Sequence, residues 1–129
     1  SIYFATQVRN YGNADIISPA EFTAGQRVLL VTDLSSFTCE PADAGDPPRL
    51  YRTKMSQRIA IYDSGGKLVW QNSYEAQEYQ SAHYVWTMFI PRIFNLPADL
   101  RAGEFIAKVE IVDAIANRQT ESGTKFTIK

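Results

Sequence analysis

The chain has 129 residues, 45% of them apolar and 12% aromatic, which is enough to fill the core of one compact domain spanning 1–129. A formal net charge of −1 creates no long-range field toward nucleic acid or anionic lipid, so neither is expected as a partner. A single cysteine, Cys39, and a single histidine, His83, exclude an internal disulfide and the common Cys/His zinc sites, and no bound metal or cofactor is expected. No apolar run approaches the ~18 residues of a membrane span, so membrane insertion is not expected either.

The chain opens on Ser1-Ile2-Tyr3-Phe4, with neither an initiator Met nor a signal-peptide pattern, and we read it as a processed chain or a piece of a larger protein. Helical periodicity is scarce, while short β-rich runs separated by Gly, Pro, Asn and Asp recur along the whole length. Strands are predicted near 2–9, 26–37, 50–62, 67–75, 83–91, 104–113 and 121–128, an all-β pattern of about seven strands that suits an antiparallel two-sheet β-sandwich.

In chain order, the first segment with an unusual pattern is VLLVTDL at 28–34. It is apolar on both faces, whereas a strand in a two-layer sandwich needs only one apolar face. After it comes CEPADAGDPPR, 39–49, whose prolines forbid central strand pairing and which, long for a loop, is expected either to pack down as a cover for such a face or to be mobile. Its Glu40, Asp43 and Asp46 offer hard oxygen ligands, but their spacing fits no calcium-loop template, and the segment reads as a solvated acidic loop.

The clearest local signal is QRIAIYDSGGKLVW, 57–70, where Asp63-Ser64-Gly65-Gly66 supplies residues that tolerate positive φ between two alternating runs. A four-residue loop pairs Tyr62 with Lys67, Ile61 with Leu68, Ile59 with Trp70 and Lys54 with Glu75, so like meets like and charge meets opposite charge. This register puts Trp70 and Tyr74 on the core side. Arg52, Lys54 and Arg58 share the other face as a basic stripe that ordinary cross-strand pairing, with Glu75 opposite Lys54 and Gln71 opposite Arg58, accounts for.

HYVWTMFIP, 83–91, is the second segment apolar on both faces, and a loop, a flanking strand or a partner must cover the spare one. If 83–91 is one strand, Tyr84 and Trp86 share a face opposed to Val85 and Phe89, and the bulk of tryptophan favours burial of Trp86. His83 precedes the run without a nucleophile elbow or a glycine-rich oxyanion loop, and reads as a strand-end histidine. In 104–113, Phe105, Ala107, Val109 and Ile111 fall on one face while Glu104, Lys108 and Glu110 mark the other, the pattern of a half-buried strand.

Phe22, Gly25, Gln26 and Val28 match an F-x-x-G-[Q/E]-x-V opening, and Leu100, Gly103, Phe105, Val109, Ile111 and Asp113 match an L-x-x-G-x-[Y/F]-x-x-x-[V/I]-x-[V/I]-x-D passage. Together with the opening YFATQVRNYG, these segments resemble immunoglobulin-like β-sandwich modules carried as accessory domains by large bacterial proteins. The resemblance implies an immunoglobulin-like fold and says little about activity, because such sandwiches host many unrelated roles. Phe105 stands where these modules carry a tyrosine whose hydroxyl bonds back to the chain, so that corner bond is missing.

The expected function is therefore a non-catalytic accessory module that mediates protein–protein or interdomain contact, with Tyr79, Tyr84, Trp86 and Met88 as its interaction surface. The alternative is a carbohydrate-binding module, in which Tyr79, Tyr84 and Trp86 stack on sugar rings while Glu75, Glu78 or Gln80 bond to hydroxyls. An enzyme is not expected, because no pair of groups suited to general acid–base work stands out.

Overall fold

The computed structural model describes residues 1–10 and 12–129; Tyr11, part of the resembling opening, lies outside the described residues. Ten strands run in order: β1 (Ile2–Asn10), β2 (Asn13–Ile16), β3 (Glu21–Phe22), β4 (Arg27–Leu34), β5 (Glu40–Pro41), β6 (Tyr51–Asp63), β7 (Leu68–Ser81), β8 (Met88–Asn95), β9 (Gly103–Asp113) and β10 (Arg118–Ile128). No helix occurs among the described residues. A four-stranded sheet in the order β2-β1-β4-β8 packs on a six-stranded sheet in which β3-β10-β9-β6 is extended by β7 and β5. This is an all-β two-sheet sandwich. The short strands β2, β3 and β5 add to the seven predicted elements.

Alternation places the core. In β9 the buried residues are Phe105, Ala107, Val109 and Ile111, the face predicted from the sequence. They meet Val28 and Leu30 of β4, Phe4 of β1, Ile59 and Ile61 of β6 and Phe126 of β10 in one cluster. Phe4 makes edge contacts to Phe22 at 5.0 Å and Phe126 at 5.4 Å between ring centroids, the geometry that aligns ring edges with ring faces. On the opposite face of β9, Glu110 pairs with Arg58 and Lys108 with Glu121.

The motif residues that carry the resemblance have local reasons to be there. Phe22 and Val28 are core anchors, and between them Gly25 takes φ +78° while its N–H donates to the Pro97 carbonyl. The Gln26 side chain closes the same turn by accepting from the Thr23 N–H at 2.9 Å. At the far end Asp113 is buried. Its Oδ2 accepts the Thr38 N–H at 2.6 Å, and its Oδ1 accepts those of Ile115 and Ala116 at 3.1 and 3.2 Å. One carboxylate thereby fixes the β9–β10 turn and ties the chain after β4 onto it.

The β6–β7 hairpin forms where predicted but in a different register. Asp63 N–H donates to the Lys67 carbonyl, and its Oδ1 accepts from Gly65 and Lys67, a side-chain-supported turn that brings Tyr62 opposite Leu68 rather than Lys67. One extra residue on β7, Val69, then sets Ile61 opposite Trp70 and Ile59 opposite Asn72. A second bulge between Tyr74 and Gln77 sets Lys54 opposite Glu78, not Glu75. Trp70 and Tyr74 still face the core, because each correction moves the partner and not the alternation of β7 before the second bulge.

The strand predicted over 83–91 is displaced. Ser81 ends β7, residues 82–87 cross from one sheet to the other outside any strand, and β8 begins at Met88. Phe94 and Arg92 of β8 then close the open side of the sandwich against β7. Phe94 stacks on Trp70 at 4.9 Å, and the Arg92 guanidinium lies 3.9 Å from the Tyr74 ring centroid while donating to Gln57 at 2.7 Å.

Apart from buried Cys39, whose sulfur meets the Val85 N–H, the segment 39–49 does not cover the spare apolar faces. It curls on itself at the edge of the larger sheet, where the Asp43 carboxylate accepts N–H groups from Gly45, Arg49 and Leu50. The second face of β4 is covered by neighbours of its own sheet and by β2. Ala5, Val31 and Phe89 form a second small cluster, packed by Tyr3, Leu29 and Ala14. Two extra residues on β1, one before and one after Val8, bend the β1–β2 hairpin over this face. Gly12 near its tip lines one cavity with Asp33 and Phe89.

Candidate functional site

The aromatic residues nominated from the sequence gather at one end of the sandwich, around the 82–87 crossover. Trp86 is 75% exposed, Tyr84 42% and Tyr79 43%. The Tyr84 and Trp86 rings touch, with centroids 4.5 Å apart and planes tilted by 54°. Tyr51, which the sequence reading missed, joins them edge-on to Tyr84 at 5.7 Å and 78°. The expected burial of Trp86 is overturned, and the reason is local: residues 84–87 are not in a strand, so strand alternation does not decide which of their side chains is core. Val85 is half-buried, its N–H donating to the sulfur of buried Cys39 at 3.5 Å. Met88 does not join the exposed rings; it is half-buried against the main core.

Tyr79 stands opposite Thr53 on β6, and Tyr51 opposite Ser81, so both tyrosines project from the face of the larger sheet that holds the core, beyond the point where the core ends. Glu78 and Gln80 alternate with Tyr79 and face the other way. Glu78 pairs with Arg52 at 2.9 Å and accepts from Gln80 at 3.0 Å, while Arg52 also pairs with Glu40. These groups do not flank the aromatic rings as a sugar-binding rim would require. Glu75 falls in the second bulge of β7.

The remaining candidates separate. Arg52, Lys54 and Arg58 do share a face, but Arg52 is engaged by Glu40 and Glu78, and Arg58 by Gln71 and Glu110. Glu40 pairs with Arg52 and Asp43 is surrounded by backbone donors, so these two do not converge on a common point with Asp46. Among the described residues, no group of three metal-ligating side chains comes together. His83 is exposed, with its backbone N–H donating to the Ser81 hydroxyl at 3.2 Å.

Electrostatics at these positions fix charge rather than poise it. Hydrogen bonds from Arg9 lower the pKa of Asp15, the Gly45 N–H lowers that of Asp43, and Gln80 followed by Arg52 lowers that of Glu78. At Asp113 burial alone would raise the pKa, but the hydrogen bonds from Thr38, Ala116 and Ile115 outweigh it and hold the carboxyl below the ordinary range. Every displaced carboxylate among the described residues thus moves toward the permanent anion. A general acid needs displacement the other way. Compared with known proteins, the chain matches no family model and no curated sequence.

Proposed function

We propose that this chain is a non-catalytic accessory module, of the immunoglobulin-like kind carried by larger bacterial proteins, that holds another polypeptide through the aromatic end of its sandwich. The observation that carries the reading is Trp86, three-quarters exposed and braced by Tyr84. A tryptophan side chain presents about 200 Å². Covering its free part contributes about 4 kcal/mol before ordering costs. Tryptophan and tyrosine are also the residue types enriched among binding hot spots. A polypeptide fits better than a sugar, because rings tilted by 54° and 78° form a faceted knob and not a flat platform, and Glu78 and Gln80 lie on the opposite face.

The test is calorimetric titration of the domain with the flanking segments of its parent chain, repeated with Trp86→Ala. At least tenfold weaker binding by a variant of unchanged melting temperature is expected. Undiminished binding by Trp86→Ala, or binding on a glycan array that Trp86→Ala abolishes, would sink the polypeptide reading.

A further inference from the structure

A stretch of unpaired strand lies away from the aromatic end, in the smaller sheet. Through Ala5, β1 is paired on both edges, with Leu29 of β4 on one side and Ile16 of β2 on the other. From Thr6 to Asn10 only the β2 side continues, at Val8↔Ala14 and Asn10↔Asn13, and no strand occupies the β4 side among the described residues. An interior edge has been opened because the bulges carry the arm off the plane of its sheet. Unpaired strand edges are templates for another strand.

Beneath this edge runs an open groove of about 670 Å³, with Thr6, Gln7 and Val8 on the arm side and Leu29, Pro91 and Ile93 on the sheet side. Ile93 is 56% exposed and Val8 37%, so its floor is apolar and accessible. The charged residue lining it is Arg27. Arg27 is exposed and has no carboxylate within ion-pair distance among the described residues.

We infer that this groove accepts an extended segment of a partner polypeptide by strand addition to the Thr6–Asn10 edge. Three features select such an occupant. The free edge supplies main-chain donors and acceptors over about five residues, near 3.3 Å each. The floor meets every second side chain of an added strand, which is how strand-addition sites obtain specificity. The unpaired Arg27, with no carboxylate in the groove wall, favours an otherwise uncharged segment carrying one acidic residue near its end. The inference is independent of the aromatic end, and the failure of either leaves the other standing.

Random dodecapeptides displayed on phage and panned on the 129-residue chain provide the probe, with enriched sequences synthesised and mapped by amide chemical shifts. Enriched peptides should alternate apolar and polar residues, carry a carboxylate, and move the amides of 6–10, Leu29 and Ile93 while leaving Tyr84 and Trp86 unmoved. N-methylation of alternate peptide residues in one of the two registers should weaken binding at least tenfold, and so should Ile93→Lys, at an exposed position where the melting temperature should hold. The inference is overturned by any of four results: no peptide enriches, shifts appear at the aromatic end instead, neither N-methylated register binds more weakly, or the chain itself dimerises through these amides and peptide does not compete.

Discussion

Asp113→Asn tests whether one buried carboxylate holds two parts of the chain together. The two oxygens of Asp113 have separate duties, Oδ2 toward Thr38 and Oδ1 toward Ile115 and Ala116. Asparagine keeps the shape but has only one acceptor oxygen, so one duty is lost and an amide N–H is turned toward a backbone N–H. A charge-assisted bond is worth about 1.5–3 kcal/mol, and orphaning a part-buried donor sits in the same range. A destabilisation of about 2–3 kcal/mol follows, and a chain of 129 residues loses about 4 °C of melting temperature per kcal/mol. Thermal unfolding should therefore fall by about 8–12 °C near neutral pH. Because the folded pKa of Asp113 is lowered, the stabilisation is present above the unfolded value of about 3.9 and is lost as pH falls through the folded pKa. The gap between wild type and Asp113→Asn should close over that acid window, where the wild-type group is itself protonated. Equal melting temperatures at pH 7, or a gap that stays constant into acid, would refute the reasoning.

Two further outcomes follow from the packing. Phe4, 2% exposed and in edge contact with Phe22 and Phe126, should cost about 3–5 kcal/mol when replaced by alanine, read by denaturant unfolding with unchanged slope; a cost below about 1 kcal/mol would mean the three rings do not form the core contact described. Asp43→Ala should release the 42–50 loop, whose backbone donors it gathers. Limited proteolysis should then nick that segment faster while the melting temperature changes little.

Where the sequence was legible, the reason is that strand alternation is a local property. Phe105, Ala107, Val109 and Ile111 are core because the period of two survives along β9, and Trp70 and Tyr74 face inward for the same reason. Pairing is not local in that sense. The register of β6 against β7 departs from the expectation by one residue at the Asp63 turn and by further steps at each bulge, and neither Val69 nor the stretch before Gln77 carries the glycine that would announce a bulge. A bulge is chosen by what the two strands must reach at their far ends, which a single run of residues does not contain.

The same distinction explains the two surfaces. HYVWTMFIP reads as one apolar strand, and its composition contains nothing to show that pairing starts only at Met88. Because residues 84–87 lie outside the strands, the Val85 N–H reaches Cys39 and Trp86 is left in solvent. Tyr51 was recoverable: counting in twos back from Met55 and Thr53 places it on the core-side face at the end of β6. The doubly apolar β4 posed the opposite problem. Its spare face called for a cover, and most of it is covered from within by Phe89, Tyr3 and Ala14. The bulged hairpin arm that helps to cover it also uncovers an edge of its own. The cost of closing one apolar face over Val31 is an unpaired edge at Thr6–Asn10, with Leu29 and Ile93 beneath it, and for that reason the groove is the place on this sheet where an added strand has both bonds to make and side chains to bury.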